Sequence, residues 1–262
     1  MKIGFYDSGM GGLSVLCNAL CELRHESFMY YADVDRVPYG TKTKEQVIKF
    51  ADEAVGFLVK NNAKAVVVAC NTATSVAIDY LRSSYKIPIL GMEPAVKPAL
   101  LHRSGKRVLV IATPVTVHQS KLRNLLTSLD GEKDVDLLPM PSLVTFAENC
   151  EFDSPAVYDY VKTQFSQFDL NNYSHLVLGC THFNYFKDTF AKVLPCGVEF
   201  TEGNDGTVRH LIHLLESSDA LENNAQSVDY YFSGRKVTDK ADLDKINICL
   251  KRLEKMRSIT ES

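Results

Sequence analysis

Short apolar runs and longer helical stripes take turns along the chain. Lys2–Tyr6 and Ser27–Ala32 are apolar stretches of strand length, with a helical pattern over Leu13–Leu23 between them. Lys44–Asn61 carries Val47, Phe50, Ala51, Ala54, Phe57 and Leu58 on one face, which predicts a long amphipathic helix. Ala65–Ala69 is apolar at every position, as a strand buried on both faces requires. A helix over residues 72–83 and a strand in "KIPILGM" follow. The pattern then restarts with a strand over Arg107–Ala112, a helix over His118–Leu129 and a strand over Val135–Leu138. A helix over Pro155–Phe165, a strand over His175–Gly179 and a helix over Asn184–Val193 complete it.

Repeated strand–helix units imply an α/β fold of mainly parallel sheets flanked by helices. The restart implies two similar domains with an active site in the cleft between them. The expected division is residues 1–95 plus 208–262 for the first and 96–207 for the second. Glu93–Pro98 is the expected crossover, and "TVRHLIHLLES" and "VDYYFSG" are expected to return to the first domain. Cys70 follows Asp7 by 63 residues and Cys180 follows Thr113 by 67, a match that suggests an internal duplication.

Composition narrows the class. The chain of 262 residues is 45% apolar and 23% charged, as globular proteins are, and its net charge of -3 gives no support to nucleic-acid binding. No apolar stretch reaches membrane-spanning length, and "MKIGFYDSG" reads as a strand start rather than a signal peptide, so a cytoplasmic location is expected. Seven cysteines without a CxxC pair read as free thiols of a reducing compartment. Cys17 and Cys21 lie opposite a polar line of Ser14, Asn18 and Glu22 and are expected in the core; Cys150, Cys196 and Cys249 show no partner in the sequence.

Two stretches carry chemistry. "VVVACNTAT" and "LVLGCTHFN" each run an apolar strand into a cysteine at a helix start. Ligands of open α/β sheets bind outside the carboxyl ends of the strands, where Cys70, Cys180, Asp7, Ser8 and the "VPYG" turn with Tyr39 and Gly40 are all placed. A free thiol has a pKa of roughly 8.5, and a helix N-terminus favours the thiolate. Asn71, Thr72 and Thr181 can hydrogen-bond a ligand, and Asp7 and His182 can relay protons. One cysteine as base and one as acid, on opposite faces of a substrate carbon, would invert a stereocentre. Each residue also has a plain reading: Asp7 as a helix N-cap, Tyr39–Gly40 as an ordinary turn, His182 as a helix-start residue. A Cys–His hydrolase with Cys70 or Cys180 as nucleophile is the serious rival, and it leaves the second cysteine unexplained. "DSGMGG" misses the dinucleotide fingerprint, "GTKTK" is not a P-loop, and "CTH" alone is weak as a zinc site.

The motifs "DSGMGGLSV", "VPYG", "ACNTAT" and "GCTH", in this order, closely resemble those of the bacterial glutamate racemases, and the resemblance covers roughly residues 1–215. It implies interconversion of L- and D-glutamate without cofactor or metal, with the D-isomer used in peptidoglycan synthesis. It implies that Cys70 faces D-glutamate, assisted by Asp7, and that Cys180 faces L-glutamate, assisted by His182. Ser8, Tyr39, Gly40, Asn71, Thr72, Thr181 and His182 match substrate-contact positions of that family. Thr113 and Thr116 match a further contact region, and Glu148 is expected near the cleft. A homodimer is expected, with no nucleic-acid or membrane partner. Aspartate racemases, from the same broader group, tend to have Glu in place of His182 and His in place of Thr74. A non-catalytic binding module for small dicarboxylates is the third reading.

Overall fold

The computed structural model describes residues 1–92 and 94–262; Glu93, the first residue of the expected crossover, lies outside them. In chain order the strands are β1 (Lys2–Asp7), β2 (Ser27–Ala32), β3 (Ala63–Val68), β4 (Ile89–Gly91), β5 (Arg107–Ala112), β6 (Val135–Pro139), β7 (Tyr173–Gly179), β8 (Glu199–Thr201), β9 (Ser227–Phe232) and β10 (Arg235–Lys236). They form two sheets, ordered β10-β9-β2-β1-β3-β4 and β6-β5-β7-β8. Among the described residues, every pairing between these strands is parallel except the hairpin of β9 with β10, and Glu199 of β8 makes an isolated antiparallel bridge with Glu261. Ser233 and Gly234 at the hairpin turn both have positive φ, as a type I′ hairpin requires.

The order β2-β1-β3-β4 repeats as β6-β5-β7-β8. Both central strands also carry a register irregularity at the same place, between Lys2 and Ile3 in β1 and between Arg107 and Val108 in β5. The two halves are therefore wound alike, in keeping with the matched spacings in the sequence. In each half the chain leaves the central strand to one side and returns on the other. Ligand crevices of open sheets lie at that switch point, here between β1 and β3 and between β5 and β7.

Local chemistry explains the helices that frame these crevices. The helices are α1 (Leu13–Glu22), α2 (Lys44–Lys60), α3 (Asn71–Ser84), α4 (Val96–His102), α5 (Pro114–His118), α6 (Ser120–Ser128), α7 (Ser142–Glu148), α8 (Pro155–Phe165), α9 (Lys187–Val193), α10 (Asn204–Ser217) and α11 (Lys240–Arg257). A capping box of Thr43 and Gln46 opens α2. Ser154 caps α8, with Pro155 at its first position. One apolar core is shared by both halves: Phe5, Phe28 and Tyr30 of the first sheet belong with Leu109 and Leu176 of the second. A second core lies against α2 and α3, and a third joins α4 and α6 to the second sheet. Each fully buried Phe or Leu contributes about 1.5–3 kcal/mol, so the shared core ties the halves together. Among the described residues no helix is long and apolar enough to cross a membrane.

Four expectations need correction. The helix expected over His118–Leu129 is two helices, because Thr113 caps an earlier start at Pro114 and Gln119 takes an extended conformation between them. The helix expected over Asn184–Val193 begins as a 3-10 turn, Thr181–Phe186, before α9. Cys17 and Cys21 are only half-buried, while Ser14 of the supposed polar line is buried. Cys150 and Cys249 do have a partner, each other, with their sulfurs 4.0 Å apart.

Residues 208–262 touch both halves. β9 extends the first sheet alongside β2, whereas α11 packs on α1 and on the Thr181–Phe186 turn. Near the end of the chain, Phe200 N–H donates to Thr260 O and Ser262 N–H to Val198 O.

Candidate active site

The carboxyl ends of both sheets converge on one small cavity. Ser8, Tyr39, Gly40, Cys70 and Thr72 line it from the first half, and Thr113, Cys180, Thr181 and His182 from the second. The free volume at its centre is about 10 Å³, room for no more than about one water molecule.

Cys70 ends the run of β3 and is the N-cap of α3. Its thiol donates to Ser8 Oγ (3.5 Å) and accepts from Ala73 N–H (3.4 Å). Burial pushes this thiol up to about 12, and the Asp7 carboxylate adds to the effect. The helix start therefore does not leave Cys70 as a thiolate at rest, contrary to the simple expectation from its position. Desolvation outweighs one sulfur–amide hydrogen bond.

Asp7 lies behind the cavity wall and not on it. Its carboxylate accepts from Gly9 N–H (3.0 Å) and from Thr181 Oγ (3.2 Å), so it bridges the two halves. It does not cap α1, whose N-cap is Gly12 without a side-chain bond. Burial raises its pKa to about 6, with the charge of His182 opposing.

Cys180 follows β7 directly. His182 Nδ1 is 3.7 Å from its sulfur. Nε2 of the same ring is 2.7 Å from Glu148 Oε1, which also accepts from Met10 N–H at 2.6 Å. Gly11 N–H approaches Nε2 too, at 3.3 Å, but the shorter contact to a carboxylate places the Nε2 proton towards Glu148. Burial works against a charged His182, yet its bonds to Cys180 and Glu148 prevail and raise its pKa well above the usual value. The ring is thus held between the Cys180 sulfur and the Glu148 carboxylate, which together favour its protonated form.

The hydroxyls form a cluster across the halves. Thr72 Oγ1 is 2.9 Å from Thr113 Oγ1 and 3.4 Å from Thr116 Oγ1, and the latter two are 3.1 Å apart. Asn71 and Thr116 face an adjoining cavity with Met92 and Leu122, so these two expected contact residues sit one step back. Tyr39 OH donates to Asp33 Oδ2 (2.5 Å) and accepts from Tyr6 OH (2.9 Å). Among the described residues no group of three or more His, Cys, Asp or Glu side chains is placed to hold a metal ion.

A family model described as Asp/Glu/Hydantoin racemase matches residues 14–211. The chain belongs to this racemase family. It is 51% identical over 261 residues to the glutamate racemase of Campylobacter concisus (strain 13826), covering 99% of this chain and 100% of that one. Its fold is similar to that of Escherichia coli glutamate racemase solved with L-glutamate and the activator UDP-MurNAc-ala (TM-score 0.82, 26% identity, 96% and 95% of the two chains). It is likewise similar to the Francisella tularensis glutamate racemase solved with D-glutamate (TM-score 0.79, 27% identity, 95% and 93%).

Two groups that hold this candidate site escape a reading of the sequence alone. Asp33, buried directly after β2, orients Tyr39; a polar residue closing an apolar strand at the same sheet edge as Asp7 was the available signal. Gly11 lies within "DSGMGGLSV", but nothing in the sequence tells what its backbone approaches. A Cβ there would lie 2.4 Å from His182 Nδ1, 2.5 Å from Thr181 Oγ1 and 2.6 Å from the His182 backbone N.

The elevated pKa of Asp7 carries a stability prediction. A carboxyl whose folded pKa exceeds its unfolded value contributes stability below the unfolded pKa and loses it as pH rises through about 6. Asp7→Asn is therefore expected to be more stable than the parent at pH 7, by up to about 3 kcal/mol, and to lose the share of the pH dependence of unfolding between about 4 and 6 that Asp7 contributes. Urea unfolding at several pH values checks this, and a variant less stable than the parent at pH 7 contradicts it.

Proposed function

We propose that this chain is a glutamate racemase that moves the α-proton between two cysteines, one on each face of the substrate. The observation that carries the reading is the equivalence of Cys70 and Cys180. Each follows the strand next to the central strand of its own half, and both face one cavity. A single-nucleophile hydrolase needs only one of them. In this proposal Cys70 acts on D-glutamate with Asp7 behind it, and Cys180 acts on L-glutamate with His182 behind it. Ser8, Tyr39, Gly40, Thr72, Thr113 and Thr181 form the walls that hold the substrate, supported by Asn71 and Thr116. Residues 1–95 with 208–262 and residues 96–207 serve as the two domains of the cleft.

The electrostatics suit this role. Resting Cys70 is a thiol beside an acidic residue, and Cys180 lies beside an imidazolium. The substrate ammonium brings positive charge against Asp7 and Cys70, which favours passage of the Cys70 proton to the Asp7 carboxylate behind it. His182, protonated and held by Glu148, replenishes the proton that Cys180 delivers. Backbone N–H groups and threonine hydroxyls at the strand ends stabilise the growing negative charge on the substrate carboxylate. The central volume does not admit a glutamate, so the walls contributed by the two halves must part for entry. D-glutamate made in this way supplies peptidoglycan synthesis, in the cytoplasm.

The test is proton NMR of the purified protein with L-glutamate in D2O and no added cofactor. The α-proton signal is expected to disappear as D-glutamate forms. Exchange of aspartate but not glutamate would move the substrate assignment and leave the chemistry. No exchange of any amino acid would overturn the racemase reading.

A further inference from the structure

Away from the cavity, two cysteines that the mechanism leaves idle meet across 99 residues of sequence. Cys150 lies two residues beyond the end of α7, and Cys249 lies in the middle of α11. We propose that Cys150 and Cys249 form an oxidisable dithiol, closed to a disulfide by a peroxide, that controls the position of Glu148. The effect on turnover rests on the racemase reading; closure of the thiol pair does not.

Three observations support the pair. Their sulfurs are 4.0 Å apart, so closing to the roughly 2.05 Å of a disulfide takes a movement of about 2 Å. Cys150 also occupies a left-handed backbone position, φ 56°. The other described non-glycine residues with positive φ are Asn62, Ser104, Asp130, Asp219 and Ser233, all small or polar turn formers. Glycine is the usual occupant after a helix; a cysteine there, aimed at a second cysteine, is a costly choice without a use. Access is graded as well: Cys150 is half-buried and reachable, whereas Cys249 is fully buried as a resolving thiol must be to meet only its partner.

The surroundings assign the roles. Contact with Cys249 lowers the pKa of Cys150, Lys245 assists, and burial and Glu148 oppose. The same contact and burial raise the pKa of Cys249. Cys150, the reachable thiol of the pair and the one with Lys245 nearby, is the attacking thiolate. Its sulfur attacks one peroxide oxygen, the O–O bond breaks, and hydroxide leaves to give a sulfenic acid. Cys249 sulfur then attacks Cys150 Sγ and the S–O bond breaks. The Cys249 proton and the leaving hydroxide make water. Two thiols lose two electrons and one peroxide becomes two waters.

The coupling runs through short links. Lys245, one turn before Cys249 in α11, is 3.7 Å from Glu148 Oε2. Arg252, on the same helix, donates to Tyr185 O at 2.9 Å and so holds the turn that carries His182. Drawing Cys150 towards α11 moves the end of α7, and with it the carboxylate that fixes His182. A misplacement of about 1 Å can cost on the order of 100-fold in rate, so a loss of roughly tenfold is expected for this second-hand displacement.

The full chain is treated with hydrogen peroxide, its remaining thiols are alkylated, and its peptides are mapped by mass spectrometry. A Cys150–Cys249 cross-link removed by dithiothreitol is expected. The His182 ring resonances should shift with it, and α-proton exchange should fall roughly tenfold and recover on reduction. Cys150→Ser, and separately Cys249→Ala, should keep untreated exchange within about twofold and lose the reversible response. Failure to form the link at peroxide levels that oxidise exposed Cys196 would overturn the proposal. A link without movement of the His182 signals would do so too, as would an equal reversible loss in Cys150→Ser. If untreated protein exchanges no substrate proton, the racemase reading fails. The peptide map and the ring signals then still decide the fate of the thiol pair.

Discussion

Serine in place of Cys70 or Cys180 is expected to reduce conversion of L- to D-glutamate by at least about 1,000-fold, and each single change should do so in both directions. General acid–base transfer by a placed side chain contributes about 100- to 10,000-fold. A serine hydroxyl is far too weak an acid to replace a thiol in that transfer. Both cysteines are required in each direction, because the group that accepts the proton on one face forces the other to donate. The variants should fold normally: a thiol and a hydroxyl are nearly alike in size, and each sulfur makes only weak polar contacts of 3.4 Å or longer. Chiral chromatography of the products measures conversion, with thermal unfolding as the control. If one variant retained most of its turnover, the two-base scheme would be wrong and a single-nucleophile enzyme would replace it.

Gly11→Ala should rank next. The added methyl would sit within 2.6 Å of the His182 backbone N and closer still to Thr181 Oγ1 and His182 Nδ1. A side-chain tip can swing away, but a backbone nitrogen in the turn after β7 cannot. The turn must shift, and with it Cys180, Thr181 and His182 together. We expect a rate loss of about 100-fold and a destabilisation of about 1–3 kcal/mol from overpacking. Gly206→Ala is the matched control. Nothing lies within 4 Å of a Cβ there, and alanine favours a helix over glycine by up to about 1 kcal/mol. That variant should keep full exchange and melt slightly higher. Equal behaviour of the two variants in exchange and melting assays would show that the close approach at Gly11 is not what holds the site.

Much of the fold was legible because the signals are local. The unbroken apolar run before Cys70 could only be a doubly buried strand. Ser154 with Pro155 marks a helix start that the structure keeps to the residue. The errors have distant causes. Thr181–Phe186 winds as a 3-10 turn where Arg252, 67 residues after Tyr185, grips its carbonyl. Cys150 gave no sign of its partner because 99 residues separate them. The hydroxyls of Thr113 and Thr116 meet Thr72 as a contact region should, but Thr113 also caps a helix that opens at Pro114, a local signal that competes with the apolar stripe further on. The site follows the same rule. Residues that end strands were visible as a set, whereas the groups that orient them, Glu148 for His182 and Asp33 for Tyr39, depend on folding to bring them close.

The pairing of β9 with β2 also bears on how the molecule is made. Ser27 sits opposite Ser227, and Ala32 opposite Phe232. A nascent chain that has emerged through β8 already holds every strand of the second sheet, yet the flank of β2 still lacks its neighbour. At about 5–20 residues per second, that flank waits roughly 10–40 s from the making of Ala32 to the making of Ser227 with its N–H and C=O groups unpaired. An open strand edge is a template for pairing with other chains. Truncation before β9, or slow translation ahead of it, should therefore yield aggregates and not a smaller working enzyme.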